Sequence, residues 1–407
     1  MMSSVLAELQ KLVTPTPPHQ PQPQPKNKAH QSNPIKTTYE SLPIDLPPDF
    51  LATEPGITPI PTLTEIDWAT TDLPENKGLY AVILDGVLTK NECEELRKLA
   101  EGSVPLSQWV DVDGQEQDGA TTKKTPWAPA LVNVGLGYEV LTPSYRNSSR
   151  IIWDQQEVVD RLWKRCCLVP GLMERLAVLD AGSERDVKII TGRSLPSPAA
   201  AAADGDEGGG QDGKQEEKKV VVERYANGKK KGKSKRTKTK GQRDGRTGKW
   251  EFVKVNKRMR FLRYGEGQFF RAHCDSPYRE LDPINSDRIN ETLFTIHLYL
   301  NDCKSEAPPD RKDETELVGG ATALLSGDEK RKYDVECKTG RVLIFQHRRV
   351  FHAGADVVKG VKYSVRTDIM YREVLDEPEE KEVGEGSEQA EKKADDDKPL
   401  KEEDDGK

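Results

Sequence analysis

Three side chains of the types that bind metal ions stand in two distant parts of the sequence, and they restrict the fold more than any other feature. His273 and Asp275 are two residues apart, and His352 follows 79 residues after His273. Side chains alternate along a strand with period two, so His273 and Asp275 would point the same way and reach one ion. A site built from two distant strands favours a closed β-sandwich over a zinc-binding loop, whose ligands usually lie a few residues apart.

The ligand types also indicate the metal. Two imidazoles and one carboxylate on one face of an ion leave three of six positions open, which is typical of non-haem Fe(II) sites. His347 is the rival to His352, but Arg348 and Arg349 follow it and would bring positive charge towards the ion. We therefore predict His273, Asp275 and His352 as the metal-binding and catalytic residues. The alternative is that these histidines are structural, as we expect for His297.

The sequence after Lys254 is typical of β-strands. From Leu293 to Leu300 the even positions are apolar, whereas the odd positions Thr295, His297 and Tyr299 carry polar groups. This alternation predicts one face that packs against the core and one that faces a pocket. With helical braces, the pattern predicts a mainly β (α+β) fold, a double-stranded β-helix or jelly roll.

Two helices are predicted on the N-terminal side of these strands. Thr89 and Glu92 form a capping box, which predicts a helix over about 90–101. A second helix is expected after Asp154 as an acidic N-cap, and its apolar face would contain Val158, Val159, Leu162, Trp163 and Cys166. These apolar stripes predict helices that brace a sheet.

A series of short motifs surrounds the three proposed ligands. Residues 260–270 lead into His273, the strand 292–300 is followed by 319–322 (GGAT), 340–345 (GRVLIF) precede His352, and 360–363 (GVKY) follow it. In this order, residues 259–372 closely resemble the prolyl 4-hydroxylase-like branch of the 2-oxoglutarate and Fe(II)-dependent dioxygenases. A weaker likeness begins near residue 80, in 84–89 (LDGVLT) and in Glu92-Cys93.

The resemblance implies which residues hold the co-substrate. Lys362, ten residues after His352, matches the basic residue that anchors the far carboxylate of 2-oxoglutarate in this branch. Arg366 is the second choice: it lies on the same strand face about 13 Å further along, and a guanidinium binds carboxylates in a bidentate manner. Tyr299 and Tyr264 match positions that hydrogen-bond the co-substrate, and Thr322 is expected to line the pocket.

The resemblance also implies a reaction. Fe(II), 2-oxoglutarate and O2 would support hydroxylation of an unactivated C–H bond, with release of succinate and CO2. Ascorbate often supports such enzymes by reducing the iron again, although no residue here shows that need. A protein or peptide residue such as proline is the expected substrate, but likeness of fold does not fix what is hydroxylated. The two alternatives are an oxidative demethylase of alkylated nucleic acid and a non-catalytic jelly roll that serves as an interaction scaffold.

Composition divides the remainder of the chain. We predict a disordered Pro/Gln-rich region at 1–74, a helical and mixed support at 75–180, a disordered basic insert at 181–249, the dioxygenase core at 250–372 and a disordered acidic tail at 373–407. Residues 214–249 carry 15 Lys/Arg against 4 acids, and 373–407 carry 16 acids against 6 Lys, so the net charge of -7 is uninformative. The densest basic run, 229–240, is the candidate nucleic-acid contact.

The cysteines and the hydropathy bear on the compartment. The six cysteines include no CxxC pair, which favours free thiols in a reducing compartment. We find neither a secretory signal nor a continuous apolar run of membrane-spanning length. The prediction is therefore an intracellular protein, cytoplasmic or nuclear, without a membrane partner, although collagen-modifying members of the resembling branch are secretory. The sequence does not predict the oligomeric state.

Overall fold

Strands make up most of the regular structure in the computed structural model of this protein, which describes residues 33–53, 58–112, 123–135, 137–194, 248–285, 288–304 and 316–374. The helices are α1 (Lys90–Gly102), α2 (Gln156–Cys166), α3 (Leu172–Ala177) and α4 (Glu184–Thr191), and single 3-10 turns lie at Trp68–Thr70, Pro74–Asn76 and Leu106–Gln108. None of the helices in this described part of the chain has the length and apolarity needed to cross a membrane.

The strands are numbered in chain order. The first eleven are β1 (Ile35–Lys36), β2 (Thr62–Glu65), β3 (Ala81–Asp85), β4 (Val110–Asp111), β5 (Lys124–Thr125), β6 (Ala128–Pro129), β7 (Val132–Gly135), β8 (Tyr138–Val140), β9 (Arg146–Asn147), β10 (Ser149–Asp154) and β11 (Val178–Asp180). The others are β12 (Lys249–Val255), β13 (Arg258–Tyr264), β14 (Phe269–His273), β15 (Arg279–Leu281), β16 (Ile289–Tyr299), β17 (Cys303–Lys304), β18 (Leu317–Gly319), β19 (Thr322–Leu325), β20 (Lys332–Val335), β21 (Val342–Gln346), β22 (His352–Gly354), β23 (Val357–Lys359) and β24 (Lys362–Val374).

Two sheets form the body of the fold. The larger sheet has the order β2-β3-β21-β16-β24-β13-β10-β6, and β12 also pairs with β24, β11 with β12, and β15 with β16. The smaller sheet has the order β20-β19-β22-β14-β9. Most neighbours in the two sheets are far apart in sequence, as expected of a double-stranded β-helix, whereas β2-β3 and β19-β20 are consecutive in the chain. The predicted fold class, a mainly β jelly roll with helical braces, is confirmed.

Two hydrophobic clusters hold these layers together. In the first, α1 and α2 pack on one face of the larger sheet, and the buried side chains of β16 that join it are Leu293, Phe294, Ile296 and Leu298. The second combines Tyr299 and Leu343 of the larger sheet with Leu324 of the smaller one. From Phe294 to Leu298 the predicted alternation in β16 is confirmed, because the even positions pack in the first cluster while Thr295 and His297 line a cavity.

Both predicted helices are present, but the N-cap of the second helix is not the predicted residue. The hydroxyl of Thr89 accepts from the backbone N–H of Glu92, whose carboxylate accepts from the N–H of Thr89, so the predicted capping box is confirmed. The N-cap of α2 is Gln155 and not Asp154. Asp154 ends β10 and accepts two hydrogen bonds from Arg258 at 2.8 Å, so its carboxylate is engaged across the sheet.

The predicted N-terminal boundary at residue 75 is wrong, because folded structure begins earlier. β2 pairs along its length with β3, and Phe50, Leu51, Trp68 and Leu73 are buried. These apolar anchors stand among Pro and Thr residues, so composition averaged over the segment conceals them. Residues 1–32 and the tail beyond Val374 lie outside the described residues, so disorder there stays a prediction.

The basic insert also begins later than predicted. Residues 181–194 are folded and include α4, in which Ile189 and Ile190 are buried. This short amphipathic helix directly precedes low-complexity sequence, and its apolar positions are too few to stand out. β12 begins at Lys249 and β24 ends at Val374, which extends the predicted 250–372 core slightly at both ends. The expected nucleic-acid contact at 229–240 lies outside the described residues.

Candidate metal centre

The two predicted histidine ligands lie opposite each other on adjacent strands of the smaller sheet. His273 ends β14 and His352 begins β22, and they are paired in the antiparallel register. Their ring centroids are 4.3 Å apart. The pairing of β14 with β22 thus brings together two imidazoles that are 79 residues apart in the sequence, as the sequence pattern predicts.

Backbone carbonyls fix the orientation of both imidazole rings. Nδ1 of His273 lies 2.8 Å from the carbonyl oxygen of Arg271, and Nδ1 of His352 lies 3.1 Å from that of Val350. Each Nδ1 therefore carries the proton and donates it, which leaves the lone pair of Nε2 free for an ion. Burial, with the nearby His352, lowers the pKa of His273 to about 3, and burial likewise lowers the pKa of His352. Both rings are thus neutral at physiological pH.

Asp275 reaches the same point from a different backbone position than predicted. We expected it on one strand with His273, but β14 ends at His273 and Asp275 lies in the segment that follows. The carboxylate is instead held by the larger sheet, because it accepts from the hydroxyl of Thr295 and pairs with Arg366 Nη1 at 2.7 Å. Its oxygens lie 3.7 Å from Nε2 of His273 and 3.8 Å from Nε2 of His352.

The donor set fits a ferrous ion. One possible ligand atom from each of His273, Asp275 and His352 lies within 4.8 Å of the others, and the described residues contain no other such cluster of three. Burial, the largest single influence, would raise the pKa of Asp275, but Arg366 and the neighbouring imidazoles together lower it below its usual range, so the group stays ionised. Two neutral imidazoles and a carboxylate are the donors of non-haem Fe(II) sites.

A cavity of about 760 Å³ contains the three residues and most of the predicted co-substrate site. Its wall includes Tyr264, Thr322, Lys362 and Arg366. Tyr299 is fully buried behind the wall, and its hydroxyl donates to Thr322 at 2.7 Å. The structure therefore places four of the five predicted co-substrate residues on one surface and connects the fifth to it.

Lys362 and Arg366 have different partners. Lys362 is 2% exposed, and its ammonium donates to the carbonyl of Gly320 at 2.6 Å. No carboxylate among the residues that the structure describes pairs with it. Arg366 pairs with Asp275 and, at 3.1 Å, with Asp368, so both ends of its guanidinium are engaged. Of the two cations, Lys362 is the one with a charge free for an incoming carboxylate.

The other two histidines of the region lie outside the cluster. His347 is buried, with Nε2 3.3 Å from the carboxylate of Asp368. His297 lines the cavity, and its Nε2 has no hydrogen-bond partner in the described part of the chain. Burial holds the pKa of His297 well below its ordinary value, so this ring is neutral.

The sequence did not point to Arg146, a cation that lines the cavity. Arg146 lines the cavity at 8% exposure, with its guanidinium 4.5 Å above the ring of Phe270, which stacks on His273 at 3.9 Å. Its Nε donates to Ser148, and no described carboxylate pairs with it. Burial lowers the pKa of Arg146 to about 10. The residue lies on β9, more than a hundred residues before His273, and no local motif marks it.

Comparisons with known proteins agree with this geometry. The family model of the 2OG-Fe(II) oxygenase superfamily matches residues 259–367 of this chain. No curated protein matches significantly. Among solved structures, the chain is similar to the viral collagen prolyl hydroxylase of Paramecium Bursaria Chlorella virus-1 in its 2OG complex, at 14% identity, 72% coverage of this chain, 97% of that one and a TM-score of 0.31.

Two further similarities cover less of each protein. One is a Pseudomonas putida prolyl-4-hydroxylase (20% identity, 29% of this chain, 52% of that one, TM-score 0.20). The other is a Trichoplax adhaerens prolyl hydroxylase in complex with a hypoxia inducible factor oxygen degradation domain peptide fragment (18% identity, 30% of this chain, 46% of that one, TM-score 0.20). The matching superfamily uses Fe(II), 2-oxoglutarate and O2. Residues 259–367 of the chain therefore match the 2OG-Fe(II) oxygenase superfamily, and the three clustered side chains lie within the matched region.

Proposed function

We propose that the protein hydroxylates an unactivated C–H bond of a protein or peptide residue, such as proline, while 2-oxoglutarate is converted to succinate and CO2. The observation that carries the proposal is the convergence of His273, Asp275 and His352 in the cavity that Lys362 also lines. The ion site and the carboxylate anchor that the reaction needs are thus combined in one cavity.

The three clustered residues would hold the iron. The carbonyls of Arg271 and Val350 keep each Nε2 lone pair directed at the site, and Thr295 and Arg366 keep the carboxylate oriented and ionised. A ferrous ion bound there, with 2-oxoglutarate and O2, supplies the oxidising chemistry of the superfamily. The protein contributes a preset geometry, because each ligand is fixed by a second partner before the ion arrives.

Lys362 would bind the far carboxylate of 2-oxoglutarate. A buried ammonium with only a neutral carbonyl as partner gains a charge-assisted hydrogen bond when a carboxylate enters. The rings of Tyr264 and Tyr299 lie 5.4 and 5.5 Å from the ammonium and limit the space around it. Thr322 and Tyr264 would complete the polar contacts. Arg366 stays the second candidate for the anchor, since its pairing with Asp275 assigns it first to the metal site.

A peptide is the substrate that we infer for the rest of the cavity. The volume of about 760 Å³ exceeds what a five-carbon diacid fills, so space remains for part of a second molecule. Arg146 offers free N–H donors beside Phe270, and peptide carbonyl oxygens are suitable acceptors. The resemblance of residues 259–372 to the prolyl 4-hydroxylase-like branch favours proline.

Neither alternative function gains support. The nucleic-acid demethylase depends on residues 229–240, which lie outside the described residues. The non-catalytic scaffold predicts an incomplete metal site, whereas the three ligands are assembled and oriented. A dioxygenase is therefore the function that the site supports best.

Turnover assays test the proposal directly. The full chain, loaded with Fe(II) without oxygen and then exposed to O2 and 2-oxoglutarate, should release succinate and add one oxygen atom to a proline-containing peptide. His273→Ala should abolish both products, whereas His347→Gln should keep them. Succinate without any oxidised peptide would reject the peptide substrate alone, and succinate release by His273→Ala would reject the metal site.

A further inference from the structure

Two free cysteines contact each other behind the wall that carries Lys362. The backbone N–H of Cys303 donates to the carbonyl of Cys337 at 2.9 Å, and the N–H of Cys337 lies 3.1 Å from the sulfur of Cys303. The two thiols are also hydrogen-bonded to each other, which places their sulfur atoms side by side, as formation of a disulfide requires. Both thiols are free in the structure.

The pair is connected to the proposed co-substrate anchor through one carbonyl group. The sulfur of Cys337 lies 3.3 Å from the carbonyl oxygen of Gly320, which also accepts from the ammonium of Lys362 at 2.6 Å. The backbone of Gly320 packs closely on the same lysine, because a Cβ added there would lie 3.3 Å from Cδ of Lys362. A change at the sulfur therefore reaches Lys362 through a single residue.

We propose that Cys303 and Cys337 form a redox-sensitive dithiol whose oxidation to a disulfide weakens binding of 2-oxoglutarate. The inference rests on the proposed role of Lys362. Once the sulfur of Cys337 is bonded to that of Cys303, it has no proton to donate, and Lys362 alone then satisfies the Gly320 carbonyl. The ammonium is held more tightly by the protein and is less available to an incoming carboxylate.

The oxidation balances with a peroxide as oxidant. One thiolate attacks hydrogen peroxide, the O–O bond breaks, and a sulfenic acid and water form. The second sulfur then displaces the sulfenic oxygen, which leaves as water while the S–S bond forms. Two electrons and two protons pass from the thiols to the peroxide. A hydrogen bond from Cys303 lowers the pKa of Cys337, so the thiolate that attacks the peroxide forms more readily there.

The partial exposure of Cys303 lets peroxide reach the pair, and the similar exposure of Cys167 makes that residue a suitable control. Cys337 is 2% exposed, whereas Cys303 is half-buried. Cys167 has intermediate exposure as well, and it lies at the end of α2, outside this pair. Cys303→Ser and Cys167→Ser are therefore a matched pair of substitutions, and only the first should change the response to peroxide.

Peptide mapping of the metal-free full chain detects the disulfide without depending on enzyme activity. The protein is treated with hydrogen peroxide, freed of it with catalase, alkylated and digested, and the cross-linked peptides are identified by mass. A link between Cys303 and Cys337 should form in the wild type and in Cys167→Ser, disappear after a phosphine reductant, and be missing from Cys303→Ser. Oxidation of the exposed Cys274 without that link would overturn the proposal.

Kinetics then test the connection to Lys362. After anaerobic loading with Fe(II), the oxidised wild type should show a KM for 2-oxoglutarate roughly tenfold above that of the reduced protein, as expected when a hydrogen bond to a charged group weakens. The reductant should reverse the increase, and Cys303→Ser should not show it. An unchanged KM despite a complete cross-link would overturn the connection. A reduced wild type without 2-oxoglutarate turnover would instead reject the proposed function, while the mapping result stands.

Discussion

A single hydroxyl joins the central strand of the larger sheet to the metal-binding carboxylate. Thr295 donates to Asp275, and β16 fixes the position of Thr295. We predict that Thr295→Val weakens Fe(II) binding by about tenfold or more, the usual cost of losing a partner of a metal ligand. Anaerobic titration with Fe(II) measures the change. Thr295→Ser keeps the hydroxyl and should bind Fe(II) nearly as tightly as the wild type. If Thr295→Val also binds Fe(II) as tightly as the wild type, the hydrogen bond from Thr295 to Asp275 is dispensable.

The two cations of β24 should give different phenotypes. Lys362→Met keeps length and removes the charge, so we expect a KM for 2-oxoglutarate at least about tenfold higher, with Fe(II) affinity little changed. Arg366→Gln removes the partner of Asp275 and should mainly weaken Fe(II) binding. Titration with Fe(II) and with 2-oxoglutarate separates the effects. If Arg366→Gln changes only the 2-oxoglutarate requirement, the two roles must be exchanged.

Single residues were predictable where a strand pattern or a motif marks them. The spacing of His273, Asp275 and His352 gave the three clustered side chains, and the environment of His352 distinguished it from His347. Arg146 was not predictable, because its strand β9 meets β14 only in the folded sheet. The partners of Asp275 also depend on tertiary pairing, so sequence spacing alone suggested the wrong backbone position for it.

At the scale of elements, the segment before residue 75 contributes to the fold. Leu73 is fully buried between the sheets, whereas Leu63 on β2 is 39% exposed. We predict that Leu73→Ala lowers the free energy of unfolding by about 2–5 kcal/mol, and that Leu63→Ala changes it by less than about 0.5 kcal/mol. Urea unfolding followed by circular dichroism measures both. Equal, negligible effects would mean that this segment is not part of the core.

Strong periodicity made the central elements predictable, and its absence explains the errors. β16 and α1 carry patterns of period 2 and 3.6 over a length that exceeds chance. β2 is only four residues long and all four are exposed, and α4 has eight residues beside a low-complexity stretch. Such short elements form because neighbours pair with them, and that information does not lie within their own residues.

At the scale of the whole molecule, buried histidines should make stability depend on pH. His273, His352 and His297 all have pKa values below the usual 6.5. The unfolded chain therefore takes up protons below about pH 6.5 that the folded chain does not, so their stabilising contribution is present above that pH and is lost as the pH falls towards the folded values.

Urea unfolding of the metal-free protein between about pH 7 and pH 5 measures this effect. Stability should fall with a slope of up to roughly 1.4 kcal/mol per pH unit for each such histidine. His297→Gln removes one of them and should make the slope shallower. A stability that is constant over this range would contradict the neutral, buried state of these rings.

The central claim is that His273, Asp275 and His352 together bind one ferrous ion. Anaerobic dialysis of the full chain against Fe(II), followed by iron analysis, tests it most directly. We predict one ion per chain for the wild type and for His347→Gln, and none for His352→Ala. Full iron binding by His352→Ala, or its loss in His347→Gln alone, would contradict the account.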